Sequence, residues 1–336
     1  MRTFILRRLL QTIPLLLGIS ALSFLLLQLA PGDYLTIISQ DPQIPQGTID
    51  ALRHRFGLDQ PWYVQYFIYL KNIFFHFDFG ESFPRHTSAF NVLRDGMLNT
   101  LMLAIAAAMV TWGLAIPLGV WAAVRKNKAT DHLVRVVTLL GHSMPIFWTG
   151  MIGLIIFYAV LGLVGGGGRI SDYYIGLVPE TTGFMLIDAA IAGDWEVFGD
   201  ALNHLILPAS ILGYSSMAYI TRMTRSFMLD QLGQEYVTTA RVKGLSKGRT
   251  IWHHAFANIR VQLVTIVALA YGSLLEGAVL IETVFSWPGF GQYITNNMLI
   301  GDMNAVMTCV LLVGVIFIAL NLLSDALYKI FDPRTR

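Results

Sequence analysis

The chain has 336 residues, of which 55% are hydrophobic and 13% charged, with a formal net charge of +2. A soluble protein of that length needs far more charge to cover its surface, so the composition excludes one and indicates a polytopic membrane protein. The near-neutral balance gives nucleic acid no electrostatic footprint, and the single cysteine, Cys309, can build neither an internal disulfide nor a thiolate metal cage.

In chain order, basic residues at Arg2, Arg7 and Arg8 precede an apolar run from 9 to 30. At ~1.5 Å per residue that run crosses a ~30 Å hydrocarbon core. Gln28-Leu29-Ala30 lacks the small-residue cleavage pattern, so the run reads as a retained first span, not a signal peptide. Residues 31–96 follow as a long polar and aromatic segment. Its amphipathic stretch PWYVQYFIYLKNIFFHFDFG is expected to lie on the outer membrane face or to pack on a partner. Further spans are expected at 98–124, 134–163, 204–226, 258–281 and 304–329, six in all. Between the third and fourth, residues 164–203 hold GGGGRISD and an excess of acids. A solvated loop accounts for that excess more simply than a cation site.

Charge orients these spans. Of the 23 Lys and Arg residues, 17 fall on the side of the N-terminus and 6 on the other. Positive charge marks the cytoplasm, so both termini and the segment 226–257 are expected there.

No enzyme emerges. The nearest approach to a phosphate loop, GLSKGRT at 244–250, has three residues where four are needed, and Arg249 stands where the lysine belongs. His253 and His254 are adjacent and diverge by about 100° on a helix, which does not make a shared metal site. Polar residues within spans are the next candidates. Glu276 in YGSLLEGAVLIETVF faces a water-filled path or a partner, or is paired within the bundle; a proton relay is the competing use of such an acid. Glu282 lies near the outer end of the same span. His142 and Ser143 precede Pro145, which kinks the third span; contact with a solute there is the secondary reading.

The segment EYVTTARVKGLSKGRT is an oddly polar island. Glu235 to Lys243 favours a helix, with Tyr236, Ala240 and Gly244 on one stripe at i, i+4 and i+8. The small end of that stripe would let another backbone approach. Gly244 suits a helix stop and Ser246 an N-cap for a second helix. A basic helix resting on anionic membrane lipid competes with protein docking for this segment.

YVTTARVKGLS resembles the cytoplasmic loop of ABC-importer permeases, in the form found in the peptide and nickel family. The likeness continues through FILRRLLQTIPLLLGISALSFLLLQLAPGD, FGLDQPW, GHSMPIFW, GAVLIETVFSWPGFGQYI and NLLSDALYKIFDPRTR. TGFMLIDAAI and HLILPASILG are most similar to dipeptide permeases of the first type. The resemblance implies an all-α, six-span permease of the type I ABC-importer fold. Residues 1–93 would form the first span and an external segment, and 94–330 a five-span transport domain with coupling loop 226–257. It also implies a second homologous permease subunit, two ATP-binding-cassette ATPases, an external peptide-binding protein, no catalytic site and no cofactor, in the inner membrane. Thr238, Thr239 and Ala240 would occupy the E-A-A places of the coupling helix, Gly244 would be the motif glycine, and Glu235, Arg241 and Lys243 would flank them at the ATPase groove. The chain departs from the family pattern at Thr238 and Thr239, at Ala257 where proline is usual, at Glu276, and at the glycines 165–168. A transporter driven by an ion gradient, with Glu276 as coupling acid, and a membrane-embedded hydrolase are the competing classes.

Overall fold

A computed structural model describes residues 2–29, 45–55, 57, 59–76, 81–82 and 87–331. The first part of the expected external segment, 30–44, lies outside the described residues, as do Arg85, Arg334 and Arg336.

The regular elements among the described residues are helices apart from one short hairpin, and residues 161–184 run as turns and loop around a single 3-10 turn at Asp172–Tyr174. α1 (Arg2–Leu29), α2 (Gln46–Arg55) and α3 (Trp62–His76) come first. β1 (Glu81–Ser82) and β2 (Thr87–Ser88) pair antiparallel, with Glu81 opposite Ser88. Then follow α4 (Ala89–Val124), α5 (Ala129–Ser143) and α6 (Ile146–Val160), whose last turns are of π type. α7 (Met185–Ala192), α8 (Trp195–Leu232) and α9 (Glu235–Val242) precede the long rod α10 (Lys247–Val284). α11 (Phe290–Leu299) and α12 (Met303–Phe331) complete the chain. Helices dominate because lipid offers no partner to backbone N–H and C=O groups, and a helix satisfies them internally.

Two compact units divide the chain. Met1–Met97 with Phe290–Leu322 form one, and Leu98–Gly289 with Leu323–Arg336 the other. In the first unit α3 lies along α1. Ser20 Oγ and Tyr66 Oη are 2.9 Å apart, the Phe24 and Tyr66 rings 5.3 Å, and Gln28 donates to Gln65 Oε1 at 3.1 Å. The aromatic stretch therefore packs on its own first helix, while Trp62, Phe67 and Phe75 remain exposed. Phe290, Tyr293, Ala305 and Cys309 form a second core between α11 and α12.

In the second unit α4, α8 and α10 share a core through Leu103, Ala107, Leu212, Leu274, Ile281 and Trp287. Asp131, fully buried at the start of α5, ties that helix to α8. Arg225 donates to both its oxygens at 2.7 and 2.8 Å, and Asn127 N donates at 2.9 Å.

The expected span at 134–163 is not one rod. α5 and α6 meet at 100°, the break falling at Ser143–Pro145. Proline cannot donate the helical bond and disfavours helix at the preceding residue, so a bend is required there. Its size is set by packing. Gly141 lies against the Tyr214 ring, and Tyr214 Oη donates to Val137 O at 2.6 Å. Among the described residues two helices are long and apolar enough to cross a membrane, Gly96–Val124 and Lys247–Val284, or three if the bent pair counts as one. α8 contains 204–226, but His204, Thr221, Thr224 and Arg225 dilute it. The apolar parts Leu10–Leu25 of α1 and Ala305–Ile316 of α12 are shorter.

Candidate coupling helix and pathway face

α9 begins with Glu235 in its first turn and has Arg241 in its last, each charge complementing the helix dipole. Its end is a Schellman stop. Gly244 N donates to Arg241 O at 3.0 Å and Leu245 N to Ala240 O at 3.2 Å, with Gly244 at φ +80°. Only glycine takes that dihedral without Cβ strain, as the spacing predicts. The expected second cap is present too, since Ser246 Oγ accepts from Arg249 N at 3.4 Å.

The small-residue stripe, by contrast, divides. Ala240 is buried, Tyr236 is half-buried against the cluster of Val120, Ala123, Met228, Val237 and Ile259, and Tyr236 Oη donates to Gln231 Oε1 at 2.9 Å, while Gly244 at the small end of the stripe is exposed. Val237 is the α9 residue fully buried in that cluster. The opposite face carries Glu235, Thr238, Thr239, Arg241 and Lys243, all exposed, and Val242, which is 83% exposed. Thr239 Oγ1 returns to Glu235 O at 3.0 Å. No described residue lies within 4 Å of a Cβ placed on Gly244.

The pathway candidates do not converge. His142 and Ser143 are exposed at the α5–α6 bend. Glu276 is exposed on α10, and no hydrogen bond or ion pair joins it to another described residue. Glu282, two turns further on, is fully buried. Thr100 Oγ1 donates to its Oε1 at 2.5 Å, and the Gly289 backbone lies so close that a methyl there would overlap the carboxyl. Around Glu282 the polar groups lock together. Asn99 Nδ2 donates to Pro288 O at 2.9 Å, Trp287 Nε1 to Asn99 O at 3.1 Å, and Arg169, which also pairs with Glu180, to Asn99 Oδ1 at 3.2 Å. The run 165–168 joins this knot: Gly168 N donates to Phe285 O at 2.8 Å, and Gly165 is pressed on the buried His204 ring. Sequence reasoning missed the knot. Its signal was a carboxylate one helix turn before a Trp-Pro-Gly turn, with polar Asn99-Thr100 at the start of another apolar run.

The acids of 164–203 are mostly engaged. Asp188 accepts from Thr181 Oγ1, from Thr182 N and Oγ1 and from Gly183 N at 2.7–3.0 Å. Burial pushes its carboxyl up, but those donors outweigh burial and hold it below the usual carboxylate range. Asp200 accepts from Ser171 N and Oγ, and Asp194 caps α8 through Val197 N. The solvated-loop reading thus gives way to a folded one. An open groove of about 470 Å³ beside it, lined by Tyr174, Trp195, Glu196, Asp200 and Ile206, holds none of the expected site residues.

Two adjoining family profiles cover the chain. Residues 115–336 match the binding-protein-dependent transport system inner membrane component, and residues 1–104 the N-terminal membrane component of the same systems. The chain belongs to this permease family. Relatives run its full length. The dipeptide transport system permease protein DppB of Escherichia coli K12 is 40% identical over 100% of this chain and 99% of its own. The probable D,D-dipeptide transport system permease protein DdpB of the same strain is 39% identical over 94% and 92%. The oligopeptide transport system permease protein AppB of Bacillus subtilis 168 is 34% identical over 99% of each chain. A chain of the MetNI methionine ABC transporter, solved in inward facing conformations, shares the fold at TM-score 0.55 and 13% identity, over 72% of this chain and 96% of its own. The permease family therefore stands on sequence, and the solved structure supports the architecture alone.

Proposed function

We propose that the chain is a transmembrane permease subunit of an ATP-driven importer of di- and oligopeptides, and that α9 is where it meets an ATPase. The observation that carries this is the division of α9. Val237 and Tyr236 anchor it to the ends of α4, α8 and α10, while Thr238, Thr239, Arg241 and Val242 are presented outward on a helix stopped at Gly244. A helix held on one face and bare on the other transmits force to the spans that hold it. ATP-driven closure of two ATPases would move this helix and its counterpart on a second homologous permease, and the spans would follow as rigid bundles. Hydrolysis belongs to those partners, and peptide arrives from an external binding protein. Six crossings with both termini in the cytoplasm, a first unit of residues 1–93 and a transport domain of 94–330 complete the reading. The positive-charge asymmetry and the full-length identity to peptide permeases support it.

Val242→Glu tests it without disturbing packing, because the side chain already faces solvent. The variant is expected to insert normally, to co-purify with the second permease, and to lose the ATPases and ATP-dependent peptide uptake. Gly244→Trp should do the same by breaking the stop. Full ATPase retention with wild-type uptake in both variants would sink the assignment.

A further inference from the structure

We propose that Glu276 reads positive charge on the transported solute, favouring peptides that carry a cationic side chain past the C-terminal part of α10. This rests on the reading of the chain as a peptide permease. The rotation of α10 fixes where Glu276 points. Leu274, Ala278 and Ile281 are buried against the rest of the unit. Beside them the Gly277 backbone approaches α8 and α6 so closely that a Cβ there would lie 2.9 Å from Leu212 Cδ1 and 3.4 Å from Ile146 Cδ1. Glu276 is therefore turned away from the rest of its own unit, on an exposed stripe with Ser273, Leu280 and Thr283.

That stripe is not one that lipid would select. The exposed residues of α6, among them Ile155, Ile156, Phe157 and Val160, are apolar almost throughout, as a hydrocarbon-facing surface requires. α10 instead alternates apolar with hydroxyl and carboxyl groups. Only 29% of its most apolar window is buried by this chain, against 44% for α4. A carboxylate at membrane depth must face water or a countercharge. No described cation pairs with it, so what meets it, water or a countercharge, comes from outside the described residues. In a peptide path the α-ammonium is common to every solute, so the cation that distinguishes one peptide from another is a lysyl or arginyl side chain.

The experiment uses the complete complex reconstituted in liposomes, with the binding protein saturated separately with Ala-Lys and Ala-Glu so that capture does not limit. In the wild type, Ala-Lys should be carried faster than Ala-Glu. Glu276→Gln should narrow the ratio of the two rates by roughly tenfold, the size of one modest specificity contact, and Glu276→Asp should preserve it. An unchanged ratio in Glu276→Gln overturns the proposal, whatever the absolute rates. So does failure of that variant to assemble with the second permease, which would place the countercharge on the partner subunit. Absence of ATP-dependent uptake of either peptide by the wild-type complex overturns the peptide reading itself, and this inference with it.

Discussion

Glu276 and Glu282 stand on the same helix, six residues apart, in opposite surroundings. At ~100° per residue they point roughly 120° away from each other, so burying one leaves the other outside. Glu282 is sealed: Thr100 donates to it, Gly289 presses on it, and Asn99, Trp287 and Arg169 close the shell beyond. Glu276 has no such shell. The C-terminal end of α10 is thus held by its own unit through satisfied polar groups, while the turn that carries Glu276 is left for something the unit does not contain. A buried polar network of this kind rigidifies the backbone that carries it. An exposed acid on the same rigid rod is therefore presented in a fixed direction.

The contrast breaks most visibly at its sealed end. Glu282→Ala would remove the acceptor of the Thr100 hydroxyl and open a cavity beside Gly289. It is expected to destabilise the protein by about 3–5 kcal/mol, read as a lower unfolding temperature of the purified complex. Gly289→Ala should cost about 1–3 kcal/mol through overlap with the Glu282 carboxyl. In the Glu282→Ala background much of that second cost should vanish, since the room is then available. Strict additivity of the two changes would show that they do not share one site.

Much of this was legible in the sequence, and the reasons for the rest are physical. Pro145 foretold the break in the third span, but not its 100° size, which depends on Gly141 and Tyr214 meeting across 73 residues of chain. Gly244 and Ser246 foretold a stop and a cap because both act within a few residues. Of the stripe of Tyr236, Ala240 and Gly244, the first two face the chain itself and Gly244 is exposed. Spacing places residues on one side of a helix, but whether that side meets its own chain or a partner is settled by Val120, Met228 and Ile259, far away in sequence. The glycines 165–168 resembled a loop departure until Gly165 was seen against His204 and Gly168 against Phe285.

Asp188 tests the sealed state a second time, through pH. Its folded carboxyl titrates below the ordinary aspartate value of about 4. The stability it contributes is therefore complete above that value and is lost as pH falls through the depressed folded one. Asp188→Asn should lower the unfolding temperature at neutral pH by an amount equivalent to about 1–3 kcal/mol. It should also flatten the decline that the wild type shows below pH ~4. Parallel acid limbs for the two proteins would remove Asp188 from the set of groups that hold the 181–188 turn.

The smallest expected effect is the one that most sharpens the comparison. Glu276→Gln removes a charge that no described residue of the chain contacts, so the unfolding temperature of the complex should stay within the range of a neutral surface change, about ±0.5 kcal/mol. Glu282 and Glu276 would then differ not in degree but in kind, one stabilising the permease and the other facing what passes it. A loss of 2 kcal/mol or more would mean that a subunit's cation already covers Glu276. The turn that carries Glu276 would in that event be as sealed in the assembled complex as the end of α10 is within this chain.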